Sequence, residues 1–162
     1  MIAIYIRNII FGITDSLTST VGFLAGVSVG GASREIIILT GLVYTFVEAF
    51  SMAAGSFLSE EFAEDYEAQK DLSNRKPLLG GLAMFVSYVL VSFIPILPYV
   101  FFEGATAIWI SIILSMSALF IAGASVAKLS KIKPLKHGLK MVLLGGSATI
   151  IGIIVGKIIN IG

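Results

Sequence analysis

With 162 residues, 57% of them hydrophobic and only 13% charged, and a mean hydropathy of +0.99, the chain is too apolar for a soluble domain of ordinary composition. The formal charge of +1 offers no basic footprint for nucleic acid, so no nucleic-acid partner is implied. The absence of cysteine excludes disulfides, thiolate metal sites and cysteine nucleophiles. Long, continuous apolar runs point to helices, since barrel strands would alternate apolar and polar positions. The expected fold is an all-α integral membrane bundle of five transmembrane helices, a single multi-pass domain in a lipid bilayer.

The first span is expected at about residues 9–29, after the segment MIAIYIRN. Its apolar run is too long for a signal peptide and has no small-residue cleavage pattern, so it reads as a retained helix. Asp15 falls about 10 Å along the helix from Asn8, below the membrane surface, with Thr14 and Ser16 beside it. Gly22, Gly26 and Gly30 follow at four-residue spacing, which permits close helix packing.

The second span, at about residues 36–58, is the stretch around which the chain is organised. Glu48 interrupts its apolar run, and an ionisable residue there costs about 2.5–3.5 kcal/mol on insertion scales, so it is expected to face protein, water or an ion pathway. Ser51 and Met52 project from the same helical face, and Gly41, Thr45 and Gly55 extend that stripe. Counted back from Leu58, Met52 lies about 9 Å and Glu48 about 15 Å inside the membrane. Asp15 and Met52 therefore fall at similar depth from one face, which allows Asp15, Glu48 and Met52 to form one site.

Residues 59–77 are expected as a short acidic loop closed by Pro77. Glu60, Glu64 and Glu67 recur at i, i+4 and i+7, with Glu61 beside them; if the helix continues, they form an acidic stripe, with Phe62 and Tyr66 on another face. Such a stripe is either a solvated helical extension or a funnel that concentrates cations. The third span, about residues 78–97, ends at Pro95 and Pro98, expected as a kink or exit; Met84 within it suits packing. Residues 99–106 are expected as a loop, with Tyr99 and Trp109 at the membrane interface and Glu103 in solvent. The fourth span, about residues 105–127, offers Ser111, Ser115, Ser117, Gly123 and Ser125 for helix contacts. A basic connector from Lys128 to Lys140 holds the lone histidine, His137, and the fifth span, about residues 141–159, carries Gly145 and Gly146 and ends with Lys157.

Basic residues at Arg7 and in the loops after spans two and four place the N-terminus, the acidic loop and the basic connector in the cytoplasm, and the C-terminus outside. Two carboxylates and a thioether suit Fe²⁺ or Mn²⁺ better than Mg²⁺ or Ca²⁺, which have no use for sulfur. Two other classes stand beside a transporter. In a structural or assembly protein, Asp15 and Glu48 would be helix glue. A membrane enzyme would need a nucleophile and base, but His137 stands among lysines away from any buried serine, so no enzyme is expected.

The stretches ITDSLTSTVGFLAGVSVGG and EAFSMAAGSFLSEE resemble the vacuolar iron transporter family of divalent-metal exporters, which includes the yeast calcium-sensitivity complementing transporter and plant nodulin-like members. The resemblance covers most of the chain. It implies a homodimer whose pathway lies between the two first helices and carries Fe²⁺, often also Mn²⁺, out of the cytoplasm in exchange for protons. The metal is substrate, and no cofactor is implied. By motif position, Asp15, Glu48 and Met52 would be membrane ligands, and Glu60, Glu61, Glu64 and Glu67 would stand where the family begins its cytoplasmic metal-binding domain. This chain departs there: only residues 59–77 join spans two and three, without methionine, and Gly55-Ser56 replaces the Gly-Glu of many relatives. A proton-coupled cycle needs a group that alternates between protonated and metal-bound forms, for which Glu48 is the deeper candidate. The expected home is a prokaryotic plasma membrane, with a vacuolar-type membrane as the alternative.

Overall fold

The structure, a computed structural model, describes residues 2–70 and 75–159. Five helices follow in order: α1 (Ile2–Val29), α2 (Arg34–Ala68), α3 (Arg75–Phe101), α4 (Gly104–Leu129) and α5 (Pro134–Ile159). All five are long and apolar enough to cross a membrane, and no strand occurs among the described residues. A span needs about 20 residues, so the 35 residues of α2 reach well beyond one face of a bilayer. Residues 59–68, expected as loop, are thus the continuation of that helix. Residues 71–74 of the expected loop lie outside the described residues. Pro77 does not close a loop; it sits in the first turn of α3, where its missing N–H leaves no helical bond unmade.

α1 is the axis of the bundle and touches each of the other four helices. Its residues Asn8, Gly12, Ser16, Thr20 and Leu24, at four-residue spacing, are all buried. The glycine row packs within the chain. Gly22 and Gly26 lie against Ala148 and Gly152 of α5, so closely that a Cβ on Gly26 would stand 2.7 Å from the Gly152 carbonyl oxygen. Backbone approaching backbone in this way explains why small residues recur every fourth position on both helices.

The turns follow local chemistry. Gly31 takes φ +90° and closes α1, with its N–H bonded to Ser28 O and that of Ala32 to Val27 O, the paired carbonyl capping that favours glycine. Ser33 then caps α2 by accepting from Ile36 N. The same paired bonds close α4, but there the left-handed residue is Lys131, at φ 57°.

α3 does not end at its prolines. It runs through Pro95 and Pro98 to Phe101 because neighbouring groups hold its last turn. Ser111 of α4 donates to Pro95 O at 2.7 Å, and Arg34 of α2 donates to Tyr99 O at 2.9 Å and to Val100 O. A guanidinium at a helix C-terminus satisfies free carbonyls and complements the helix dipole. Tyr99, expected at the membrane interface, is 3% exposed and belongs to an apolar cluster with Leu24, Ile37, Ile96 and Ala107. Trp109 is exposed, and Glu103 is solvent-facing but paired with Arg34 at 3.0 Å.

Candidate metal centre

Asp15 on α1 and Glu48 on α2 are each half-buried, and they stand close enough for their charges to act on one another. Neither carboxylate has a hydrogen-bond or salt-bridge partner among the described residues. Two buried serines elsewhere in the bundle are tied across helices: Ser16 donates to Tyr88 O at 2.9 Å and Ser111 to Pro95 O at 2.7 Å. Buried hydroxyls such as Thr20, Thr45 and Ser115 also lack a partner among the described residues, but Asp15 and Glu48 carry charge, two anionic groups with open lone pairs inside an apolar bundle.

Three hydroxyl residues surround the pair on the side nearer the α1–α2 turn. Ser19, one turn beyond Asp15, donates to Asp15 O at 2.7 Å and lies 2.8 Å from the Tyr88 hydroxyl of α3. Since the serine proton is engaged by Asp15 O, Tyr88 is the donor of the second bond. Tyr44, one turn before Glu48, stacks flat on Phe23 with ring centroids 4.5 Å apart, and its hydroxyl is within reach of Ser19 and Tyr88. The Tyr44–Phe23 stack, followed by the cluster around Leu24 and Ile96, closes the bundle beyond the pair.

Toward the other end, α1 and α2 part. α2 leans mainly on α3, and a cleft of about 750 Å³ remains between it and α1, lined by Arg7, Phe11, Thr14, Met52, Gly55 and Ser59 among others. Met52 lies on its wall, one turn from Glu48, and Thr14 is the chain neighbour of Asp15. The cleft therefore leads from the end where α1 begins to the level of the carboxylate pair. Of the stripe expected around Glu48, Gly55 faces this open cleft, whereas Gly41 packs on Leu24 and Thr45 is buried.

The four glutamates expected together after span two are separated. Glu60 turns into the bundle, where Arg7 pairs with it and Asn8 Nδ2 donates to Oε1 at 3.0 Å. Glu61 and Glu64 are half-buried and Glu67 is exposed. Among the described residues no three Asp, Glu or His side chains converge tightly enough to enclose an ion. Within one chain the described residues therefore form no closed shell for a metal that takes four to six ligands.

Sequence reasoning did not single out Tyr44, Ser19 or Tyr88. Tyr44 and Ser19 had a signal, since each lies four residues from a named carboxylate on the same helical face. Tyr88 comes from a third helix, and no spacing within α1 or α2 points to it.

A bundle of five membrane-crossing helices with an acidic pair beside a cleft between two of them is the architecture of a polytopic membrane protein suited to cations. The chain belongs to the VIT family, whose profile matches residues 6–76 and 63–157. It is 23% identical over 215 aligned positions to vacuolar iron transporter 1 of Arabidopsis thaliana, covering 96% of this chain and 86% of the plant protein. It is 24% identical to vacuolar iron transporter 1 of Eucalyptus grandis, with 89% and 82% covered, and 28% identical to an uncharacterized protein of Methanocaldococcus jannaschii, with 84% and 80% covered. The two pieces of the profile overlap at the α2–α3 connection, and the Arabidopsis alignment is longer than this 162-residue chain. Both are what a longer α2–α3 connection in the relatives produces, so this chain is a short form.

Proposed function

We propose that the protein carries divalent transition metal, Fe²⁺ and also Mn²⁺, out of the cytoplasm in exchange for protons, with Asp15, Glu48 and Met52 as the membrane ligands. The observation that carries this reading is the Asp15–Glu48 pair, which has no hydrogen-bond partner among the described residues and stands beside a cleft lined by its neighbours Thr14 and Met52. Ionised, the pair holds two negative charges in a medium that penalises net charge. Its neutral states are one divalent cation or two protons, and binding one requires loss of the other, which is the arithmetic of an antiporter. Met52 adds a soft donor that favours a transition metal over Mg²⁺ or Ca²⁺. The names of the plant relatives, vacuolar iron transporters, support iron as the substrate.

Nine of the eleven Lys and Arg residues belong to the end where α1 begins and α2 finishes, which supports a cytoplasmic placement of that end and an inward-open cleft. The incomplete ligand shell supports a homodimer in which two copies face each other across α1 and share donors. The competing reading, Asp15 and Glu48 as helix glue in an assembly protein, predicts hydrogen bonds across helices that these two side chains do not make.

The test is Fe²⁺ uptake into proteoliposomes under an imposed pH gradient, comparing wild type with Asp15→Asn and Met52→Ala. Gradient-dependent uptake that both substitutions abolish is expected. Absence of uptake by a folded wild-type protein would favour the assembly reading.

A further inference from the structure

Glu60 lies past the apolar part of α2 yet faces inward. Its side chain is 8% exposed, and the room for it is made by Gly80 of α3, where a Cβ would stand 2.8 Å from Glu60 Oε2 and 2.7 Å from Asn8 Nδ2. Only one of its oxygens is used. Oε1 takes both Asn8 and Arg7, while Oε2 is buried with no hydrogen-bond partner among the described residues. A pair built for stability alone would be bidentate, with the guanidinium as buried as the carboxylate. Arg7 is instead 64% exposed and lines the cleft, so it can leave toward water without crossing the protein.

Four α2 residues stand one turn apart: Glu48, Met52, Ser56 and Glu60. At 1.5 Å and 100° per residue they are steps of about 6 Å that wind by about 40° each around α2, from the central pair toward α1 and α3. Ser56 Oγ is also buried and unpartnered, and Ser56, Met52 and Arg7 line the same cleft. A hydroxyl and a thioether thus line the cleft between Glu60, which lies behind the cleft residues Arg7 and Asn8, and Glu48.

We propose that Glu60 is an outer cation-binding site at the mouth of the cleft, and that Arg7 is its tethered counter-cation, which an arriving divalent metal must displace. The proposal rests on the transporter reading of the central pair. A tethered guanidinium competes at high effective concentration, which a hydrated monovalent ion does not overcome. A divalent ion brings twice the charge and accepts inner-sphere oxygen from Oε2 and Ser56. Arg7 then swings to solvent and the ion passes from Ser56 to Met52 and Glu48. Arg7 so filters by charge before the central site filters by donor type.

The experiment is Mn²⁺ titration of the full chain in detergent, with the electron paramagnetic resonance signal of free Mn²⁺ as readout, on an Asp15→Asn/Glu48→Gln background that removes the central carboxylates. Adding Arg7→Gln is expected to tighten Mn²⁺ binding by about tenfold, an ordinary coupling between competing ligands. Adding Glu60→Gln as well is expected to erase that gain. An affinity unchanged by Arg7→Gln, or a gain that survives Glu60→Gln, overturns the proposal. Should Arg7→Gln fail to fold, Arg7→Lys, which keeps the charge but loses the planar fork, is expected to tighten binding by about threefold, and no change there is equally fatal. Wild type against the background variant reads the central site separately. Equal Mn²⁺ binding by those two would sink the transporter reading and leave the Arg7 comparison interpretable.

Discussion

Replacing Gly26 by alanine puts a methyl group into the close backbone seam between α1 and α5. The new Cβ would lie 2.7 Å from Gly152 O and 3.1 Å from the Gly152 carbonyl carbon, where ordinary contact begins at 3.4 Å. Both opposing atoms are backbone in the middle of a helix, so no side chain can rotate away. α1 and α5 must separate by several tenths of an ångström, and the neighbouring Gly22–Ala148 and Gly30–Gly156 contacts loosen with them. Overpacking of this kind costs about 1–3 kcal/mol. Gly146→Ala is the matched control: nothing lies within 4 Å of its added Cβ, so the lower backbone entropy of alanine should stabilise by about 0.5–1 kcal/mol. Reversible unfolding of the purified protein in mixed micelles, followed by circular dichroism, should move the two variants in opposite directions. Equal midpoints for Gly26→Ala and Gly146→Ala would refute the argument that the glycine row is an intramolecular seam.

The remaining predictions concern single contacts. Lys131→Gly relieves a left-handed residue at the end of α4 and should stabilise by about 1 kcal/mol, read in the same unfolding assay. Arg34→Gln withdraws the donors from Tyr99 O and Val100 O; a loss of about 1–2 kcal/mol and faster amide exchange in the last turn of α3 are expected, and unchanged exchange would contradict the capping role. Tyr88→Phe deletes the 2.8 Å bond to Ser19 and should destabilise by about 0.5–1.5 kcal/mol, whereas an unaltered midpoint would mean that the bond contributes nothing.

Much of the fold was legible because a bilayer leaves few choices. An apolar run of about 20 residues must be a helix, and five such runs give five helices. Counting along two helices matched Asp15 with Met52 in depth, because rise per residue is nearly constant in α-helices, whereas the charge that acts on Asp15 in the structure is that of Glu48, one turn farther along α2. What counting missed depends on a third element. Glu60 reads as one of four solvated acids until Arg7, Asn8 and Gly80, from two other helices, are known to converge on it. Pro95 and Pro98 read as a helix end until Arg34 and Ser111 supply the donors that hold the last turn. Tyr99 reads as an interfacial residue for the same reason, since its burial follows from the helix continuing. The glycine row was legible as a close contact, but which helix it meets was not, because α5 carries small residues at the same spacing as any other candidate surface.

The central claim is that one carboxylate pair holds either a divalent metal or protons. It is tested most directly by measuring Fe²⁺ uptake and luminal pH together in the same proteoliposomes, for wild type and Glu48→Gln. Proton movement locked to metal uptake is expected in wild type, and loss of that coupling in Glu48→Gln. Metal uptake by Glu48→Gln with unchanged proton coupling would contradict it.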